Sequence, residues 1–119
     1  VIQISKVNAG KSIGYGAEYI AKKNLKIATL AIGYADGLPR NYKGYAVYKS
    51  NKVPFVGRIS MDLTCIEVDE TVKLFDEVTL WGGDNREMRL ETLSRTHNTM
   101  PYVFFTNLSK RVKRVYINE

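Results

Sequence analysis

Leu25-Lys26-Ile27-Ala28-Thr29-Leu30-Ala31-Ile32-Gly33-Tyr34 is nearly continuous apolar sequence with β-branched members, and Ala35-Asp36-Gly37-Leu38-Pro39 breaks it at once. A run of this kind reads as a strand covered on both faces, and glycine and proline punctuate its end. Upstream, Val1 to Val7 reads as a short strand closed by a turn at Asn8, Ala9 and Gly10. Downstream, Tyr45 to Lys49 and Val53 to Val56 flank Ser50-Asn51-Lys52, a hairpin turn. Ile59 to Val68 alternates, with Ile59, Met61, Leu63 and Cys65 on one face. Ser60, Asp62, Thr64 and the less fitting Ile66 lie on the other. Glu77 to Trp81 is a further strand, ended by Gly82-Gly83-Asp84-Asn85. Leu90 to Arg95 reads as a short helix, and a second starts at Pro101, where proline suits a first helical turn. Val112 to Ile117 returns to strand. Many short strands at close spacing with two short helices predict an all-β barrel or sandwich.

A chain of 119 residues is one domain on length, residues 1–119. Hydrophobic residues make up 45 % and charged residues 25 %, as in an ordinary globule with one core. Cys65 is the single cysteine, so neither an internal disulfide nor a thiol cluster for zinc can form, and a reducing cytoplasm suits the chain. No apolar run approaches the roughly 20 residues of a membrane span, and no secretory leader opens the chain. Val1 in place of Met predicts a piece of a longer protein. The formal charge of +6 raises nucleic-acid binding as an idea. The positive residues are spread out, however, and the one dense cluster, Lys110, Arg111, Lys113 and Arg114, reads as a solvated end of the last element.

Few residues are equipped for chemistry. His97 is the only histidine and reads as a surface or capping residue. Ser60 lacks the glycine flanks of a nucleophile elbow, and Gly14-Tyr15-Gly16 lacks the spacing of a dinucleotide loop. Asp36 and Asp62 read as turn and strand-surface residues. Tyrosine stands out with eight copies. Tyr15 sits between Gly14 and Gly16, and Tyr34 between Gly33 and Ala35, where backbone can bend sharply or approach a ligand closely. Composition alone makes both amphipathic rim residues, rings packed and hydroxyls wet.

Four motifs in order carry a resemblance: Ser12-Ile13-Gly14-Tyr15-Gly16, Ile32 to Arg40, Val56-Gly57-Arg58-Ile59-Ser60-Met61-Asp62, and the tail from Tyr102 to Tyr116. Together they resemble the alanine racemase C-terminal domain along the whole chain. The resemblance implies a small β-barrel that follows a separate N-terminal (β/α)8 barrel, which holds pyridoxal phosphate and is absent here. It implies a head-to-tail homodimer, each active site lying between one subunit's barrel and the other's β domain, and a cytoplasmic enzyme supplying D-alanine for peptidoglycan precursors. Alanine would be the substrate, with no nucleic acid or membrane as partner.

By the same resemblance, Tyr15 matches the catalytic tyrosine that serves one face of the substrate, opposite a lysine of the barrel. Tyr34, Arg40 and Arg58 match residues of the substrate corridor. Met61 matches the residue whose backbone amide meets the substrate carboxylate, and Tyr102 a tyrosine that reaches the cofactor phosphate. Val103 departs from the acid usual at its position, Met100-Pro101 from a more usual Ile-Asn pair, and Ser60 from a common cysteine. Lys6-Val7-Asn8-Ala9-Gly10 echoes the family's cofactor-lysine motif but falls just before the C-terminal domain's opening, so Lys6 reads as a strand-surface residue. Two other readings stand beside this one. A racemase of the same fold could act on serine, lysine or a wider set of amino acids. A basic β-barrel could bind single-stranded nucleic acid through stacked tyrosines, and its binding would then fall steeply with salt.

Overall fold

The computed structural model describes residues 1–13, 19–21, 23–42, 45–82 and 88–116. Within them the chain is mostly β, with two short helices near its end. The strands are β1 (Gln3–Val7), β2 (Ser12–Ile13), β3 (Tyr19–Ile20), β4 (Leu25–Leu30), β5 (Ala46–Tyr48), β6 (Asn51–Val53), β7 (Phe55–Val56) and β8 (Thr64–Val68). The helices are α1 (Leu90–Thr96) and α2 (Pro101–Thr106). An antiparallel sheet in the order β1-β4-β8-β7 forms the centre, and β2-β3 and β5-β6 are separate pairs. Among the described residues the ladders do not run round into a closed ring. No helix among the described residues is long and apolar enough to cross a membrane.

β4 is covered on both faces, as its composition predicts. Ala28 and Leu30 join Ile66, Val68, Ala46, Tyr48 and Val72 in one cluster, while Leu25 and Ile27 join Ala21 and Val56 in another. The strand stops at Leu30, however, short of the expected Tyr34. In β8 the alternation faces the other way from the sequence reading. Thr64, Ile66 and Val68 are buried and Cys65 is half-buried, whereas Met61 is 53 % and Leu63 43 % exposed. Residues 59–63 are no strand at all. The Ser60 hydroxyl donates to Leu63 O (2.8 Å) and accepts from Leu63 N–H (3.2 Å), so a side chain closes a local turn in place of a ladder.

Three more expectations shift. The β5-β6 hairpin turns at Lys49-Ser50, with Tyr48 opposite Asn51, one residue before the expected turn. Both turn residues have positive φ (47° and 66°), the twist a two-residue hairpin needs. Glu77 to Trp81 contributes only a bridge between Thr79 and Val47. Residues 112–116 are not strand, because Arg114 donates to the carbonyls of Leu108, Ser109 and Val112 and holds them in a loop. The rest of that expected strand, Ile117, lies outside the described residues. The two helices form as expected, α1 running one residue further to Thr96 and α2 opening on Pro101. They bury Leu93 and Phe104 in a third cluster with Leu38, Tyr42 and Ile59.

Candidate functional site

Beyond β4 the chain makes a single 3₁₀ turn, Tyr34–Asp36. Gly33 has extended backbone, so its need for glycine is one of space. An added Cβ would overlap the backbone carbonyls of Ser60 and Met61. That contact lets Tyr34 N–H donate to Ser60 O and Ala35 N–H to Met61 O, both at 3.0 Å. Asp36 turns back to accept the Gly33 N–H at 3.0 Å. Gly37 closes the turn at φ 111°, a conformation that L side chains rarely adopt, with the backbone of Asn107 against it. The motif Gly33-Tyr34-Ala35-Asp36-Gly37 is thus a backbone junction between the 60–61 segment and the tail.

The Asp36 carboxylate is nearly buried and holds the junction from below. Its Oδ1 accepts from Arg111 Nε (2.9 Å) and Nη2 (2.6 Å), and Nη2 also reaches Asp62 Oδ1 at 2.9 Å. The two carboxylates, Asp36 first, push the Arg111 pKa up. Ser109 N–H donates to Asp36 O at 3.1 Å. The basic tail cluster is therefore more than a solvated face, and Asp36 and Asp62 meet through a shared cation. No spacing rule marks such a link, since 75 residues separate Asp36 from Arg111. The one legible signal was a basic residue in a tail lying beyond two isolated acids.

Above this base, Tyr34 and residues 61–63 face outward, while Ile59 stays in the core. Arg40 lies over the Tyr34 ring, 5.4 Å from its centroid, a cation–π distance. Tyr34, Arg40 and residues 59–63 line an open groove of about 450 Å³. It offers a cation, an aromatic wall with a hydroxyl, an exposed Met61 and the carboxylate of Asp62, and among the described residues no lysine, histidine or cysteine lines it. This set can bind and orient an anion such as a carboxylate. It cannot by itself anchor a carbonyl compound covalently, which takes an amine.

The structure thus brings Tyr34, Arg40 and Met61 together. Arg58 is half-buried beside Ile59 and does not line this groove, nor does Tyr102. Tyr102 stands 60 % exposed on α2, on the side away from the buried Phe104. Tyr15 lies outside the described residues. His97 caps the end of α1, its Nδ1 2.8 Å from Leu93 O, and stacks on Tyr42 at 5.5 Å. Lys6 pairs with Lys26 along β1-β4, a strand residue as expected.

Residues 1–116 match the profile of the alanine racemase C-terminal domain. The chain belongs to the alanine racemase C-terminal domain family. An alanine racemase of Actinobacillus succinogenes is 41 % identical over 120 residues, 98 % of this chain and 33 % of that protein. The solved alanine racemase of Bacillus anthracis with bound L-Ala-P superposes with a TM-score of 0.89 at 36 % identity, over 99 % of this chain and 31 % of that one. That of Bartonella henselae, with covalently bound pyridoxal phosphate, gives 0.84 at 36 % identity over 98 % and 33 %. The racemase domain in hand spans about a third of the length of these relatives.

Proposed function

We propose that residues 1–119 are the C-terminal domain of a pyridoxal-phosphate-dependent alanine racemase of the cytoplasm, working as a head-to-tail homodimer in which this domain completes the partner's active site. The observation that carries the reading is the junction of Gly33–Gly37 with residues 60–62. In a chain of this family, it presents Tyr34, Arg40 and Met61 along one anion-binding groove.

Pyridoxal phosphate fits the residues present along one edge only. The groove has a cation and a hydroxyl for anionic groups and, among the described residues, no amine for the covalent bond, which supports an anchoring lysine in the barrel. When bound, the cofactor supplies the electron sink that stabilises negative charge at the substrate Cα. This chain supplies the rest of one side. Arg40 in the groove orients the alanine carboxylate, Arg58 outside it adds positive charge that attracts it, and the backbone N–H of Met61 donates to it. Tyr34 walls the entrance, and the Tyr102 hydroxyl donates to the phosphate. Tyr15 moves a proton to and from Cα on one face while the barrel's lysine serves the other. A tyrosine hydroxyl ordinarily titrates at about pH 10, so the barrel side of the interface must lower it for work at neutral pH.

Tyr15→Phe in the full-length enzyme tests the reading. It removes one hydroxyl and keeps the ring, so folding and cofactor binding should survive while racemisation falls by about 10²- to 10⁴-fold. Deuterium exchange at Cα, followed separately from L- and D-alanine, should be lost unevenly, because the lysine still serves one face. Equal, near-normal exchange from both enantiomers would return Tyr15 to a structural role.

A further inference from the structure

Two backbone segments form the groove, and neither is fixed by a strand. Residues 34–36 are one 3₁₀ turn, and residues 60–63 are a turn closed by the Ser60 side chain. Their direct link is the pair of hydrogen bonds from Tyr34 and Ala35 to Ser60 and Met61. Arg111 crosses that link from the tail. One edge of its guanidinium, Nε with Nη2, grips Asp36 at 2.9 and 2.6 Å, and Nη2 continues to Asp62 at 2.9 Å. Asp36 in turn holds Gly33, the residue before Tyr34, and Asp62 follows Met61 directly. The tail is itself braced at this point, since Arg111 N–H donates to Ser109 Oγ and Ser109 N–H to Asp36 O.

We infer that Arg111 is a positioning residue: it clamps the Tyr34 turn to the Met61 loop and so sets the spacing between the groove's aromatic wall and the backbone amide at Met61. The substrate half of this inference rests on the function proposed above; the clamp rests on geometry alone. The planar fork is what the role requires. It meets two carboxylates on different segments in fixed directions, which a lysine ammonium on a flexible stem does not reproduce. Both the Arg111 and the Asp62 side chains are more than half exposed. Solvent screens that arm, so it contributes direction more than stability.

The test uses the full-length enzyme with Arg111→Lys, Arg111→Ala and Asp62→Asn. Two readouts are compared: steady-state racemisation of alanine, and hydrogen–deuterium exchange of peptides covering 33–37, 59–63 and, as a reference, β4 and β8. The clamp predicts faster exchange in 33–37 and 59–63 with β4 and β8 unchanged. It also predicts a rise in KM of about 2- to 30-fold, the range of indirect couplings, with a smaller change in kcat. Arg111→Lys keeps the charge and the fold if Arg111→Ala does not fold, and should still show the KM change. Unchanged exchange in both segments overturns the clamp. Faster exchange with an unchanged KM overturns its role in substrate binding. A wild-type enzyme that fails to racemise alanine overturns the proposed function instead, and the exchange data still decide the clamp.

Discussion

At the scale of single residues, the site depends on atoms that are absent as much as on those present. Gly33 is held by space and not by backbone angle, so even alanine there must push the 60–61 backbone away. Gly33→Ala should cost about 3 kcal/mol, the upper end of overpacking penalties, and separate Tyr34 from Met61. A denaturant midpoint unchanged from wild type would show that the junction yields. Asp76 gives a second residue-scale prediction, in pH. Its carboxylate accepts from Tyr48 OH at 2.6 Å and from Lys73 N–H at 2.9 Å, and these bonds, Tyr48 first, hold its pKa below the ordinary value. A depressed carboxylate stabilises the fold above its unfolded pKa of about 3.9, and that contribution is lost as pH falls through the lower folded value. Asp76→Asn should therefore lower the melting temperature at pH 7. The gap to wild type should close below about pH 4, as melts across that range would record.

At the scale of elements, the third core cluster is organised by Tyr42. Its ring meets Phe55 edge-on at 5.5 Å and stacks on His97 at the end of α1. Its hydroxyl donates to Leu80 O at 2.7 Å. Burial pushes its pKa far above the usual tyrosine range. The folded state thus keeps the phenol neutral, and stability should fall as pH rises past about 10, where the unfolded chain ionises. Tyr42→Phe keeps the packing and leaves Leu80 O without its donor. It should cost about 1 kcal/mol near neutrality and flatten the alkaline decline, both readable from urea unfolding between pH 7 and 11. The β5-β6 turn points the other way. Lys49 and Ser50 both occupy left-handed backbone at some cost. Lys49→Asn with Ser50→Gly should stabilise the chain by about 1 kcal/mol, and no gain in melting temperature would mean that the hairpin does not limit stability.

At the scale of the molecule, the 119-residue chain presents Tyr34, Met61 and Leu63 to solvent around one groove. In the proposed homodimer this surface is covered; alone it is an exposed apolar patch. The isolated chain should associate as its concentration rises, and Met61→Ser with Leu63→Ser should weaken that association. Sedimentation velocity over a concentration series reads both, and a monomer at every concentration would count against the covered face. With no amine among the groove's described residues, the isolated chain should also neither racemise alanine nor hold pyridoxal phosphate covalently. Specific turnover by it would relocate the catalytic centre.

The β class, the doubly covered β4, both helices and the family were legible in the amino-acid sequence. Each is written in local pattern: an apolar run with β-branched residues, proline at a first helical turn, glycine-spaced motifs in order. Tertiary structure decided the rest, because side-chain hydrogen bonds, some to near neighbours and one across 75 residues, override backbone alternation. Ile59 to Cys65 alternates like a strand, yet Ser60 closes a turn there and leaves Met61 and Leu63 outside. Val112 to Tyr116 reads as strand, yet Arg114 draws the carbonyls just before it into a loop. The bond between Asp36 and Arg111 joins residues 75 apart. A charge in a sequence does not name its partner, and only the folded chain brings that acid, its cation and the Met61 loop to one place.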